Sequence, residues 1–82
     1  MEFQLYHDVI LTIDLPNQGL CAGDVGTLLE HHEIPGKETG YSVEFLDMTG
    51  RTVAVVTVPA HQLRMPTCED RPAARTSTPT GA

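Results

Sequence analysis

The sequence contains few of the residues on which small binding domains often depend. It has no tryptophan, and its aromatic residues are two phenylalanines and two tyrosines. A groove that binds a proline-rich peptide needs several aromatic side chains, so this kind of peptide recognition is disfavoured. The two cysteines, Cys21 and Cys68, lie far apart and form no CxxC or CxxH pair. The spacing therefore supports neither a zinc knuckle nor a redox motif, and it leaves a disulfide open.

Long apolar runs are also missing from the chain. No stretch approaches the roughly 20 consecutive apolar residues of a membrane-spanning helix. The N-terminus has no basic segment followed by an apolar run, which is the pattern of a secretory signal. We therefore expect no membrane segment and a cytoplasmic location.

Basic residues are scarce, since five Lys and Arg stand against eleven Asp and Glu and the net charge is −6. Near the C-terminus Glu69, Asp70, Arg71 and Arg75 cancel one another, so the acidic excess belongs to residues 1–65. An acidic surface repels the phosphates of nucleic acids and attracts basic protein surfaces. A nucleic-acid partner is thus disfavoured, although such a surface also serves solubility alone.

The C-terminal stretch has the composition of a disordered tail. From Met65 onward it contains three prolines and four threonines and almost no large apolar side chain. Such a segment cannot bury enough surface to offset the entropy lost on ordering. We assign residues 1–65 to one folded domain and residues 66–82 to a disordered tail. A core of this size is near the lower limit for independent folding, which favours association with another chain.

Alternating apolar and polar residues predict an all-β domain. The predicted strands are 8–14, 24–33, 41–47, 51–58 and 63–65, and a single 3₁₀ turn is expected over residues 60–62. Five short strands with a long first loop, a tight third hairpin and a 3₁₀ turn before the last strand have the order of a five-stranded SH3-like barrel.

The predicted core consists of apolar residues on one face of these strands. In strand 51–58 the apolar run is almost continuous, so the pattern leaves the register of that strand open by one residue. The predicted core residues are Val9, Leu11, Val25, Leu28, Val43, Phe45, Val53, Val55 and Val58.

Glycines and aspartates mark the predicted turns and strand junctions. Asp24 is a short acceptor that can bind backbone N–H groups where a loop enters a strand. Residues 47–50 have the pattern of a type I turn followed by a left-handed glycine. A glycine within strand 24–33 indicates a bulge or the close approach of another strand. The structural residues predicted in this way are Gly19, Gly23, Asp24, Gly26, Asp47 and Gly50.

Three segments resemble, in order and spacing, a bacterial family of unknown function that is catalogued as DUF4926. The segments are residues 8–16 (DVILTIDLP), 19–30 (GLCAGDVGTLLE) and 41–58 (YSVEFLDMTGRTVAVVTV). The resemblance covers about residues 7–64 and leaves out the tail. It implies an SH3-like barrel, and it brings no established activity and no catalytic residues.

A more distant resemblance concerns residues 23–27 (GDVGT), which look like the loop-to-strand element of KOW-type ribosomal and transcription-factor domains. Acids stand here where such RNA binders carry lysines and arginines. A KOW-like nucleic-acid-binding domain is therefore the alternative function.

The chain offers little for catalysis or metal binding. His31 and His32 are neighbours on a predicted strand, so they point to opposite faces and cannot hold one ion together. No serine, histidine, aspartate or cysteine spacing indicates a nucleophilic site. We expect no enzymatic activity, no metal site and no cofactor.

The remaining interpretation is a non-catalytic interaction or accessory module that docks on a basic protein partner. Such modules include antitoxin-like or immunity-like proteins and accessory subunits of enzymes. A homodimer through residues 3–6 is a second possibility, since these apolar residues could instead cap the open end of the barrel. The residues expected to contact a partner lie in the first loop and at outward strand positions: Asp14, Leu15, Pro16, Leu20, Glu30, His32 and Glu44.

Overall fold

The computed structural model describes residues 3–76, which form an all-β domain as predicted. Five antiparallel strands form a curled half-barrel. Two 3₁₀ turns, Pro16–Gln18 and Ala60–Gln62, lie in the first loop and before the last strand. The strands are β1 (Asp8–Leu11), β2 (Val25–His32), β3 (Gly40–Leu46), β4 (Thr52–Pro59) and β5 (Leu63–Arg64).

The strand order in the sheet is β4-β3-β2-β1-β5, so β4 and β5 are its edges. The register shifts between Leu28 and Glu30 in β2 and between Phe45 and Leu46 in β3. At the second shift Phe45 pairs with Ala54 and Leu46 with Thr52, which leaves Val53 as an extra residue of β4. Bulges of this kind bend a strand and increase its twist, which helps the sheet to curl.

The hydrophobic core lies inside the curl of the sheet. Its largest fully buried side chains are those of Val9, Leu11, Leu28 and Val43. The predicted core residues Val43 and Phe45 of β3 are confirmed, and Tyr41 joins them in the core cluster. Phe3 packs against this core, with its ring in an edge-to-face contact with Tyr41 at a centroid distance of 5.2 Å. At least this residue of segment 3–6 therefore covers the core, as the capping alternative requires.

Two predicted core residues of β4 are wrong, since Val53 and Val55 are 51% and 55% exposed. The pairing register of β3 and β4 determines which valines are buried. Inward-facing Val43 pairs with Val56, so Val56, rather than Val55, packs against the core. Val58 is buried as predicted. A run of valines carries no alternation, so the partner strand selects which of them are buried.

Val25 is also a wrong core assignment, since it is 50% exposed. The inward position at this end of β2 belongs to Gly26, which is buried. A β-carbon on Gly26 would lie 2.5 Å from Val43 Cγ1 and 3.0 Å from the Glu44 carbonyl oxygen. The predicted close approach of another strand thus occurs at Gly26, whereas the bulge of β2 lies further on.

Residues 66–76 contain no helix or strand, yet their side chains contact the sheet. Asp70 forms an ion pair with Arg64 of β5, and Arg75 forms one with Asp24, immediately before β2. The rest of the predicted disordered tail, residues 77–82, lies outside the described residues. The domain boundary at residue 65 stays a prediction.

Candidate functional site

The first candidate surface is the outer sheet face, formed by side chains of β2, β3 and β4 that point away from the core. The pairing register of the three strands brings these side chains together, because Glu44 pairs with Thr27 of β2 and with Val55 of β4. Ser42 pairs with Glu30 on one side and Thr57 on the other. The outer sheet face comprises Thr27, Glu30, His32, Ser42, Glu44, Leu46, Thr52, Val53, Val55 and Thr57.

Three polar side chains on this face form a hydrogen-bonded chain. His32 Nε2 lies 2.8 Å from Ser42 Oγ, which lies 3.0 Å from Thr57 Oγ1. Histidine beside a serine hydroxyl is a geometry that can activate a nucleophile when a third group orients the imidazole. Within residues 3–76 no group hydrogen-bonds to the other ring nitrogen of His32, and Ser42 is only 8% exposed. In this arrangement the two hydrogen bonds join β2, β3 and β4 to one another.

The sequence does not predict these hydrogen bonds, because they depend on the register of three strands. Alternation in β3 predicts that Ser42 points outward, and His32 is predicted as a partner contact, but nothing in the sequence places Thr57 opposite Ser42. Alternation alone could have put His32 and Ser42 on outward faces. It could not have aligned them.

The outer sheet face combines exposed apolar side chains with carboxylates. Val53 and Val55 are half-exposed, and so is Leu46 on the neighbouring strand. Glu44 lies directly opposite Val55, and its Oε2 accepts a 2.7 Å hydrogen bond from Thr52 Oγ1. None of the positions on this face is lysine or arginine. The surface is therefore an apolar strip bordered by negative charge.

The second candidate surface is the first loop, which joins β1 to β2. An antiparallel bridge between Leu15 and Leu20 closes the loop around the first 3₁₀ turn, which begins at Pro16. Gly19 ends that turn with a φ of +72°. Leu20 is 3% exposed and packs in the core, so its predicted role as a partner contact is corrected to a core role.

Carboxylates hold the main chain of this loop in place. Asp14 Oδ1 accepts a 2.9 Å hydrogen bond from the Ala22 N–H, and Asp24 Oδ2 accepts one of 2.9 Å from the Cys21 N–H. Asp24 also binds the guanidinium of Arg75. Burial raises the pKa of Asp24, but Arg75 and the Cys21 N–H outweigh this and hold it below its ordinary value.

The β3–β4 hairpin has the geometry that its sequence predicts. Asp47 Oδ1 accepts hydrogen bonds from the N–H and hydroxyl of Thr49 and from the Arg51 N–H, at 2.7–2.9 Å. These bonds lower the pKa of Asp47. Gly50 has a φ of +88°, which favours glycine, and its N–H donates to the Asp47 carbonyl.

Candidate ligands for a metal are not gathered in one place. Within residues 3–76, no group of three or more His, Cys, Asp or Glu side chains could hold an ion. His61 Nδ1 instead lies 2.7 Å from Glu38 Oε1, and this contact lowers the pKa of Glu38. Cys21 and Cys68 are exposed free thiols. No helix in the described part of the chain has the length and apolar character needed to cross a membrane.

We predict that the carboxyl of Asp70 titrates well below its ordinary range because of Arg64. Two hydrogen bonds of 2.8 and 2.9 Å join the guanidinium to the carboxylate, and Thr67 donates further bonds to it. Both favour the charged form and lower the pKa. Because the folded-state pKa is lowered, the stabilisation is present above pH 3.8 and is lost as the pH falls through the lowered value.

Carbon-13 NMR titration of the carboxyl of Asp70 checks this prediction. In Arg64→Gln the pKa should rise toward its ordinary value, and Arg71→Gln is the matched control. Arg71 donates to the main-chain carbonyls of Cys68 and Asp70, not to the carboxylate. An unshifted Asp70 in the wild type, or an equal rise in both variants, would contradict the contact.

The residues predicted to contact a partner thus divide between the two surfaces. Glu30, His32 and Glu44 belong to the outer sheet face. Asp14, Leu15 and Pro16 belong to the first loop, next to the start of β2 at Val25. The structure does not join them into one site.

Comparison with known proteins places the chain in a family. The comparisons with curated proteins and with solved structures gave no match. The family model described as "Domain of unknown function (DUF4926)" matches residues 5–65, which include all five strands. The resemblance seen in the sequence is thereby confirmed, and this chain belongs to the DUF4926 family.

Proposed function

We propose that this chain is a non-catalytic protein-interaction module that docks on a basic surface of a protein partner. The observation that carries the proposal is the composition of the outer sheet face. Val53 and Val55 expose half of their surface on an edge strand, and Glu44 lies beside them. Contiguous exposed apolar side chains with a polar border are characteristic of surfaces that bind other proteins.

The distribution of basic residues supports a partner of opposite charge. All five lysines and arginines lie within the described residues. Arg64 and Arg75 are paired with carboxylates, and Arg71 binds main-chain carbonyls. Lys37, Arg51 and Arg71 are therefore the cations not paired with a carboxylate in the described residues, and the remaining acids outnumber them, so the surface retains a negative field that attracts a basic protein.

We further propose that the module acts in the cytoplasm. Cys21 and Cys68 are both exposed and unpaired. Exposed thiols persist in a reducing compartment, whereas oxidising compartments favour disulfides.

The test begins with capture of proteins by the immobilised full-length chain and continues with a purified binding protein. The dissociation constant is measured for wild type, Val55→Lys and Ile34→Lys. Ile34 lies in the β2–β3 loop and is 51% exposed, close to the 55% of Val55, which makes it a matched control. We expect Val55→Lys to weaken binding at least about tenfold, because it puts a cation into the interface. Ile34→Lys should bind like wild type.

Salt dependence tests the electrostatic part of the proposal. Raising NaCl from about 50 mM to about 500 mM should weaken the complex, because exposed charges are screened over shorter distances at higher ionic strength. Binding that ignores both salt and Val55→Lys would contradict the proposal, as would recovery of no selective protein. A parallel titration with RNA and DNA covers the KOW-like alternative, and tight nucleic-acid binding would overturn our choice.

A further inference from the structure

The first loop and the C-terminal segment border an open cleft of about 420 Å³. The loop contributes apolar and carboxylate side chains together with main-chain carbonyls. The C-terminal segment contributes an arginine. The cleft is lined by Asp14, Pro16, Gly19, Leu20, Cys21, Arg75 and Thr76.

The guanidinium of Arg75 is held at this cleft by several bonds. Its Nη2 lies 2.6 Å from Asp24 Oδ2, and its Nε lies 3.2 Å from Asp24 Oδ1. Nη2 also donates to the Gly19 carbonyl oxygen at 3.2 Å. Two parallel N–H···O bonds to one carboxylate are the geometry in which proteins recognise arginine rather than lysine.

The acceptors are positioned by the loop itself, not by Arg75 alone. The Cys21 N–H fixes the Asp24 carboxylate, and the positive φ of Gly19 ends the 3₁₀ turn where its carbonyl meets the guanidinium. Asp14, held by the Ala22 N–H, adds a second negative charge to the lining. Because these bonds do not involve Arg75, we expect the acceptors to keep their positions when the arginine leaves.

The C-terminal segment is attached to residues on both sides of β1. Ile10 is 3% exposed although it is not part of the core cluster. Its pairing partners are Arg64 of β5 and Val25 of β2. Arg64 binds Asp70, and Asp24 beside Val25 binds Arg75. Both ends of segment 70–75 are therefore fastened to the strands that flank Ile10.

The ion pair that closes this arrangement is exchangeable. The side chains of Arg75 and Asp24 are 44% and 21% exposed. Pairs that are partly exposed to water contribute little net stability, because water competes and a flexible side chain must be ordered. The occupancy of the site by Arg75 comes largely from its tether to the same chain, which gives a high effective concentration.

We propose that Asp24 and the Gly19 carbonyl, beside the first-loop cleft, form a guanidinium-binding site for an arginine in an extended segment of the basic partner, and that Arg75 is its occupant in the free protein. This inference rests on the proposed function and names the partner chemistry that one of its surfaces recognises. The residues before Arg75 are alanines at 73 and 74. A partner segment with small residues next to its arginine therefore fits the same space.

The test uses a blocked synthetic peptide with the sequence of residues 70–76, DRPAART, as the probe. It is titrated into full-length wild type and Arg75→Ala, and NMR follows the amide signals of Cys21, Ala22 and Asp24. We expect the peptide to bind Arg75→Ala at least about tenfold more tightly, because the tethered competitor is gone. Adding Asp24→Asn to that variant should abolish binding. A probe with lysine at the position of Arg75 should bind more weakly.

Arg71→Ala is the matched control, since Arg71 contacts only nearby main-chain carbonyls. It should bind the probe like wild type. Equal affinity of wild type and Arg75→Ala, or retention of binding by the Asp24→Asn double variant, would overturn the proposal. So would concentration-dependent dimerisation of the wild type that Arg75→Ala removes, because the tail of a second copy would then be the occupant. The Val55→Lys experiment is independent of these outcomes, so the two proposals can fail separately.

Discussion

Replacing Leu28 by alanine is expected to lower the free energy of unfolding by about 3–4 kcal/mol. Leu28 is fully buried and pairs with Val43 in the middle of the sheet. The substitution removes apolar contacts and leaves a cavity that surrounding strands cannot easily fill, because their backbones are held by the ladder. A core of this size supplies roughly 3–5 kcal/mol, so the variant should be largely unfolded.

Urea denaturation followed by far-ultraviolet circular dichroism measures this effect. Leu46→Ala is the matched control, because it makes the same chemical change at a residue that is 46% exposed. We expect it to cost less than about 1 kcal/mol, as exposed substitutions usually do. Similar losses in the two variants would show that the core is not where the structure places it.

Replacing Gly26 by alanine is expected to destabilise the domain by about 2–3 kcal/mol through overpacking. The new β-carbon would lie 2.5 Å from Val43 Cγ1 and 2.9 Å from Phe45 Cε1. It would also lie 3.0 Å from the Glu44 carbonyl oxygen, which belongs to the backbone of the adjacent strand. Relief would therefore require β2 and β3 to separate, at the point where both line the core.

The matched control is Gly40→Ala, which is also a strand glycine. A β-carbon there would meet Thr57 Cγ2 at 3.8 Å and the Val58 carbonyl oxygen at 3.9 Å, both ordinary contacts. This variant should be neutral or more stable by up to about 1 kcal/mol, because alanine lowers the entropy of the unfolded chain. Melting temperatures give the readout, and we expect a fall of roughly 10 °C or more for Gly26→Ala only. Equal melting temperatures in the two variants would contradict the close approach at Gly26.

Local patterns predicted the parts of the fold in which a single face is buried. In β3 the apolar residues alternate strictly with Ser42 and Glu44, so sequence alone identified the inward side chains. The hairpin at residues 47–50 was equally accessible, since an aspartate acceptor and a left-handed glycine determine its geometry within a few residues. Such features depend on neighbours in sequence, and they were predicted correctly.

The valines of β4 and Val25 were misassigned for a different reason. A run such as residues 53–56 offers apolar side chains to both faces, and only pairing with β3 determines which face is the core. The prediction that Val25 lies in the core is wrong because an inward position is normally occupied by an apolar residue rather than by glycine. Here the approach of Val43 and Phe45 leaves space for hydrogen alone. Because Val53 and Val55 were assigned to the core, the sequence did not predict that they form part of the outer sheet face.

By itself, the sequence determined that this protein is a small, acidic, all-β domain of five strands and a member of its family, because strand alternation and turn chemistry are local properties. Only the tertiary structure decided which valines are exposed, that His32, Ser42 and Thr57 are joined, and that Arg75 reaches Asp24 across 51 positions of the chain. These contacts depend on strand register and on where the C-terminal segment lies against the rest of the domain. Neither produces a periodic pattern in the sequence. Both surfaces proposed for a partner are of this second kind.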